Sequence, residues 1–444
     1  MRAASLPHRT LTAAAVGLLA LSSLSACSGK DEGASSKEGA SSGARSFTYW
    51  SMWRAEEPQA KVLKAAADKF TAETGIKVDL EFQGRDVKKK IGAAIAAHQA
   101  PDLWDQGDQI IWATTASIGQ ALDLSDVYGA EVPGEGKRVA DVIPVKYLDA
   151  LGADSDGKRR WVVPYELLSA QLFYNAADPL TATPPATWED LMKVCDSLKS
   201  QGKPCIVSDG ELAWENSLIW DNILADEAGE GTYARLANDK SAAAWDDPAV
   251  LSATKKIENL VKGGHIIKGY DASKYPAQQT KWAQGSGGFV MNGSWIISEV
   301  LEQIGSGWKF GAIPVPSVKS AGAPAVDLMT LGFSIPKAAK NPDPAKKFIA
   351  YFMKKDNLSG ISTEAKNITP RIDIPAPAEL ADVQKAFTRN PVRTAFGVGG
   401  AVPGDYADKV FNSAYLDLWH GKSSAEQFIA AVKKAQVAYW KAAG

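Results

Sequence analysis

The chain has 444 residues, with 49 basic and 51 acidic side chains, a formal charge of −2 and only three cysteines. This near-balance provides no basic field for nucleic acid or an anionic membrane surface, and so few cysteines exclude a disulfide-dense scaffold. The length is enough for two domains of ordinary size, each burying its own core.

At the N-terminus, Arg2 and Arg9 precede or flank an apolar run from Leu11 to Leu24. The run is too short to span a bilayer comfortably and has the length of a signal-peptide core. It ends in Leu24-Ser25-Ala26-Cys27, which resembles the lipobox of bacterial lipoprotein signal peptides. That resemblance implies a signal peptide over residues 1–26 and acylation of Cys27; a plain secretory signal with a chance cysteine is the alternative. Losing residues 1–26 removes two arginines and no acid, which takes the formal charge from −2 to −4. Residues 27–46 then hold no aliphatic side chain larger than alanine, so they cannot offset their own ordering entropy. As a Gly/Ser coil of about 18 residues they form a tether with a reach of roughly 23 Å.

From Phe47 the composition turns globular. Phe47 to Trp50 reads as a first strand, and Glu56-Glu57-Pro58 as the start of a helix with apolar residues Val62, Ala66 and Phe70 that ends at Gly75. Ile76, Val78, Leu80 and Phe82 alternate as a second strand. Val87, Ile91 and Ile95 mark a second helix, and Leu103-Trp104 a third strand. This alternation predicts a parallel sheet with helices on its faces. Arg160 to Val163 reads as a further strand broken by Pro164 and resumed at Leu172 to Tyr174. Thr187-Trp188-Glu189-Asp190 has the form of a capping box and opens a helix through Leu198 that ends at Gly202. A second α/β unit follows to about residue 300, and helical patterns return at 342–355 and 424–441. Segments 163–171 and 311–317 are the expected crossings between two lobes. There is no internal repeat.

Beyond Cys27 only Cys195 and Cys205 remain. In an oxidising compartment this pair predicts a disulfide that stabilises by about 2–3 kcal/mol; two free thiols are the alternative.

Several stretches resemble the bacterial extracellular solute-binding proteins of the maltose-binding type, which serve ABC importers. They are TGIKV at 74–78, APDL at 100–103, VPY at 163–165 through YN at 174–175, TWEDL at 187–191, MNGSW at 291–295, and GFSI at 332–335 with PAKKF at 344–348. Each is weak alone, but they run in order over nearly the whole chain behind the lipobox. The resemblance implies an α/β fold of two doubly wound lobes joined by a hinge, the type II periplasmic-binding-protein form. The boundaries drawn on it are 47–165 with 312–358 for lobe 1, and 166–311 with 359–444 for lobe 2. It further implies a monomer that captures a small carbohydrate, a di- or oligosaccharide, and delivers it to the permease subunits of an importer. Contact with the membrane is expected through the lipid anchor alone, on its extracytoplasmic side, with no cofactor and no nucleic acid.

Sugars present flat C–H faces ringed by hydroxyls, which suit aromatic rings flanked by carboxylates and amides. In parallel sheets, ligands lie beyond the carboxyl ends of the strands. The ends here read WSMW at 50–53, WDQGD at 104–108, YE at 165–166, WEN at 214–216 and SW at 294–295. The expected ligand-binding residues are therefore Trp53, Asp105, Asp108, Tyr165, Glu166, Trp214, Glu215 and Trp295. Trp295 follows a tight turn and occupies the stacking position in the resemblance; Arg371, in a turn like one of the family's, completes the set. The competing readings are that Asp105 and Asp108 only cap the following helix, and that Trp50 belongs to the core. Trp161, Trp188, Trp245 and Trp440 sit in regular patterns and read as packing.

An enzyme has little support. His98, His265 and His420 are scattered without metal-ligand spacing, and QGSGG at 284–288 lacks the lysine of a phosphate loop. No two acids are singled out as a glycosidase pair. The alternatives kept open are a polyamine or other small solute as ligand and, behind it, a secreted glycosidase.

Overall fold

The computed structural model describes residues 45–319, 324–395, 402 and 405–443. The signal peptide, Cys27 and most of the tether lie outside the described residues. Among the described residues no helix is long and apolar enough to cross a membrane.

Strand β1 (Ser46–Ser51) buries Phe47, Tyr49 and Ser51 on one face. The helix Pro58–Thr74 begins with its proline in the first turn, where no hydrogen-bonding N–H is needed, and ends at Gly75, whose left-handed φ of 72° lets its N–H reach Thr71 O. Strand β2 (Lys77–Phe82) pairs in parallel with β1 over its whole length. After the helix Val87–Ala96, β3 (Leu103–Gly107) pairs in parallel with the other side of β1. The chain thus winds from β1 to one side and then to the other, which leaves a crevice beyond the carboxyl ends of β1 and β3.

Strands β4 (Glu131–Val132) and β5 (Lys137–Arg138) form a small hairpin. Strand β6 (Val163–Leu168) contains Pro164, where the sequence suggested a break. It is the edge of the five-stranded sheet β2-β1-β3-β12-β6, in which β12 is Met329–Ser334, so a residue without an N–H interrupts no ladder on its outer side. One residue, Ser169, separates β6 from β7 (Ala170–Asn175), which lies in a second sheet. That sheet adds β8 (Ile206–Val207), β9 (Phe289–Gly293) and β10 (Phe310–Ile313) in the order β10-β7-β9-β8. Strand β11 (Val326–Asp327) pairs with β13 (Val392–Arg393), and β12 (Met329–Ser334) returns to the first sheet between β3 and β6.

Three boundaries drawn from the sequence fall inside elements. Position 165/166 cuts β6. Position 311/312 cuts β10, which pairs with β7 along its full length. Position 358/359 cuts the helix Lys355–Thr363, which packs on Pro58–Thr74 with Gly360 seated against Val62. The chain then rejoins the second sheet through the helix Ala381–Arg389, which packs on β10.

The aromatic cores differ. Behind the first sheet, Phe47, Phe70, Phe333, Phe348 and Phe352 meet mostly edge to face. Beside the second, Trp220 stacks on Trp245 and meets Phe411 and Phe428. Trp161 and Trp188 are buried, whereas Trp440 is half-buried and donates to Ala237 O. Trp50 is half-buried against the core. Cys195 and Cys205 are bonded, joining the helix Trp188–Ser200 to the entry of β8 across the turn at Gly202.

Candidate functional site

Asp105 lies in β3 where its end faces that of β1. It accepts hydrogen bonds from Met52 N at 2.6 Å, Ser51 Oγ at 3.0 Å and the Tyr49 hydroxyl. The Tyr165 hydroxyl donates to it at 3.3 Å and in turn accepts from Trp53 Nε1 at 2.8 Å. Burial pushes the Asp105 carboxyl up to about 6, and the four donors pull against that rise. This carboxylate is spent inside the protein, where it holds the β1 exit and, through Tyr165, the indole of Trp53. That indole is only 5% exposed and lies under the Arg85 guanidinium at 4.5 Å. Arg85 also donates to Met52 O and pairs with Glu57, each at 2.7 Å.

Glu166 follows Tyr165 and is 1% exposed. Gln59 hydrogen-bonds with it, and its Oε2 has no partner. Burial is the largest effect and raises its carboxyl to about 8, with Gln59 and Arg85 opposing. At neutral pH it is mainly protonated and can donate.

Asp108 opens the short helix Asp108–Ile111 and accepts from Thr330 N of β12 at 2.9 Å. It is buried and ties the helix start to the sheet, the capping role weighed against ligand contact. Arg371 stands apart from the other expected residues. Its buried guanidinium donates to Asp373 at 2.7 and 2.8 Å, to Glu135 at 2.8 Å and to Met353 O at 2.8 Å. Hydrogen bonding to Asp373 is the main cause that raises its pKa. All three of its nitrogens are engaged in this ion-pair centre, so the structure does not bring Arg371 to the aromatic clusters.

On the second sheet, β9 ends in Asn292-Gly293 and Trp295 follows two residues later. The Trp295 indole folds back over Gly293 so closely that a Cβ there would overlap its six-membered ring. Only glycine permits the ring to lie against the strand end. Trp214, in the first turn of the helix Ala213–Ala228, stacks on Trp295 with ring centres 6.0 Å apart and planes 23° apart. Trp214 is 40% exposed and Tyr275 43% exposed. Beside the tryptophans, Asn292 Nδ2 donates to Gln279 at 2.8 Å and to Glu215 at 3.3 Å, and Gln279 Nε2 donates to Glu299 at 2.8 Å. Burial first, then Glu299 and Asp209, push the Glu215 carboxyl up to about 8. Sequence reasoning missed Tyr275, Gln279 and Glu299. For Glu299 a signal existed, since it lies four residues after Trp295 and hence on the same side of the next helical turn.

The two clusters flank the crossing between the sheets. Glu166 lies three residues before Ser169, and Ser169 O accepts from Ser294 N at 2.9 Å, next to Trp295. Among the described residues, no group of three His, Cys, Asp or Glu side chains could hold a metal ion.

The family described as bacterial extracellular solute-binding protein matches residues 65–389. The diacetylchitobiose binding protein NgcE of Streptomyces coelicolor is 23% identical over 287 residues, which cover 62% of this chain and 60% of NgcE. An extracellular-binding protein of an ABC transporter from Pyrococcus horikoshii is 25% identical over 211 residues, covering 46% of this chain and 44% of that protein. The chain therefore spans less than two thirds of either relative. The apo form of RafE from Streptococcus pneumoniae superposes with a TM-score of 0.70 at 18% identity, covering 90% of this chain and 100% of RafE. RafE in complex with raffinose matches with a TM-score of 0.67.

Proposed function

This chain belongs to the bacterial extracellular solute-binding proteins, and from that premise we propose that it captures a di- or oligosaccharide outside the membrane and passes it, chemically unchanged, to the permease of an ABC importer. The observation that carries this reading is the exposed Trp214–Trp295 stack, held by Gly293 beside hydrogen-bonding acids and amides at the crossing between two α/β sheets. A pyranose covers such a ring with its C–H face and meets carboxylates and amides with its hydroxyls. NgcE and RafE, whose names or complexes refer to diacetylchitobiose and raffinose, support the class of ligand.

The binding residues in this reading are Trp214, Glu215 and Trp295 on one wall, and Glu166, with the edge of Trp53 and its support Tyr165, on the other. Asp105, Asp108 and Arg371 hold the scaffold. The lobes divide at Ser169, in the stretch after Ile313, and between Arg371 and Ala381. A ligand that touches both walls favours the closed arrangement by its differential affinity. The protein acts as a monomer, tethered through acylated Cys27. Cys27→Ser should move it from the membrane fraction to the medium, and a variant retained in the membrane would remove the anchor from the reading.

Calorimetric titration with mono-, di- and oligosaccharides tests the function. One-site saturable binding of a di- or oligosaccharide is expected. Binding of a polyamine with no response to any saccharide would overturn it.

A further inference from the structure

At the wall around Trp214 and Trp295, no lysine or arginine among the described residues offsets the acids that act on Glu215. The amide and phenol donors that meet the acids are already used: Asn292 Nδ2 on Glu215 and Gln279, Gln279 Nε2 on Glu299, and the Tyr275 hydroxyl on Glu299. The acidic groups that act on Glu215 come from separate elements, Glu299 from the helix Ile296–Val300 and Asp209 from the loop after β8. Asp209 is itself occupied by the backbone N–H groups of Gln278 and Gln279.

An independent feature points the same way. Gln171 of β7 lies directly opposite Asn292 of β9, so the two side chains share one face of the sheet. Gln171 is fully buried, its Nε2 donates to Ser169 Oγ at 3.2 Å, and its Oε1 has no partner. A buried acceptor without a donor, beside Glu299 without a cation, is an arrangement that a ligand bringing both completes.

Resting on the carbohydrate reading above, we infer that this wall selects a sugar bearing a protonated amine, a 2-amino-2-deoxy unit, over its neutral counterparts. An ammonium offers three donors and a positive charge. Glu299 accepts from it beside Glu215, whose carboxyl keeps its proton at mildly acidic pH, while Trp214 and Tyr275 offer partly exposed aromatic rings to the same cation. The flat ring of the amino sugar still stacks on the tryptophans, which separates it from an open-chain polyamine.

The test is calorimetric titration of the full chain, at a mildly acidic pH that keeps the amines protonated, with four probes. These are a β-1,4-linked glucosamine trisaccharide, cellotriose, the N-acetylated trisaccharide and spermidine. The glucosamine trisaccharide should bind about tenfold tighter than cellotriose and the N-acetylated sugar. That advantage should shrink with added salt, because it is ionic. In Glu299→Gln, checked for folding by circular dichroism, the ratio of the two affinities should fall toward unity whatever happens to each alone. Equal or tighter binding of cellotriose or the N-acetylated sugar overturns the inference and leaves the carbohydrate reading standing. Binding of spermidine alone overturns both.

Discussion

The two aromatic–acid walls look alike in sequence and differ in what their polar atoms do. On the first sheet, Asp105 is surrounded by donors from Tyr49, Ser51, Met52 and Tyr165, and Trp53 is closed in between Tyr165 and Arg85. On the second, Trp214 is 40% exposed and Glu215 beside it accepts one bond, at 3.3 Å, from Asn292. An acid next to a tryptophan can therefore be a brace or a contact. A carboxylate whose lone pairs are filled by its own protein positions other groups; one with acceptors to spare is available to a ligand.

The sharpest way to break this comparison is to remove the brace. Asp105→Ala leaves several buried donors unpaired and should cost about 3–4 kcal/mol of stability, read by urea denaturation. A loss below about 1 kcal/mol, well under the usual penalty for such a site, together with lost sugar affinity, would instead make Asp105 a ligand contact. Next in size, Trp295→Ala should weaken sugar binding by about 1–3 kcal/mol through lost burial and stacking, while the melting temperature changes little. Gly293→Ala should lower affinity in the same direction, because its methyl group displaces the same indole. Melting of either variant with unchanged affinity per folded molecule would make the tryptophan a core residue.

A pH-dependent effect concerns Glu166, where burial lifts the carboxyl to about 8 from an ordinary 4.5. Across that window the folded state keeps a proton that the unfolded chain releases. The stability this proton provides is fully present below the unfolded value and is lost as pH rises through the folded one. Unfolding free energy should thus fall toward pH 8, by up to about 1.4 kcal/mol per pH unit for this group. Glu215 is shifted the same way and adds to the slope. Glu166→Gln should flatten only part of it in denaturation curves taken at several pH values; an unchanged slope would mean Glu166 titrates alike in both states.

Much of the first sheet was legible. The order strand, helix, strand, helix, strand from Ser46 to Gly107 follows from local periodicity and from residues such as Pro58 and Gly75, whose backbone preferences act within a few positions. The disulfide partners were legible too, because they lie ten residues apart. Pro164 misled: whether a proline ends a strand depends on whether that strand is an edge, which is a property of the sheet. The boundary drawn near 358 falls inside the helix Lys355–Thr363 for a related reason, since that helix packs on Pro58–Thr74 through contacts made far away in the chain.

The sequence by itself determined the strands and helices from Ser46 to Gly107, the turn at Gly293, and which aromatics stand next to acids, since all of these depend on neighbours in the chain. Only the tertiary structure decided which of those pairs serve a ligand. Glu135, 236 residues from Arg371, takes up the guanidinium, and Tyr165, 112 residues from Trp53, fixes the indole. Gln279 reaches Asn292 and Glu299 through folding alone. Burial and partner supply set whether a polar group is spent or free, and both arise from contacts between residues that are distant in sequence.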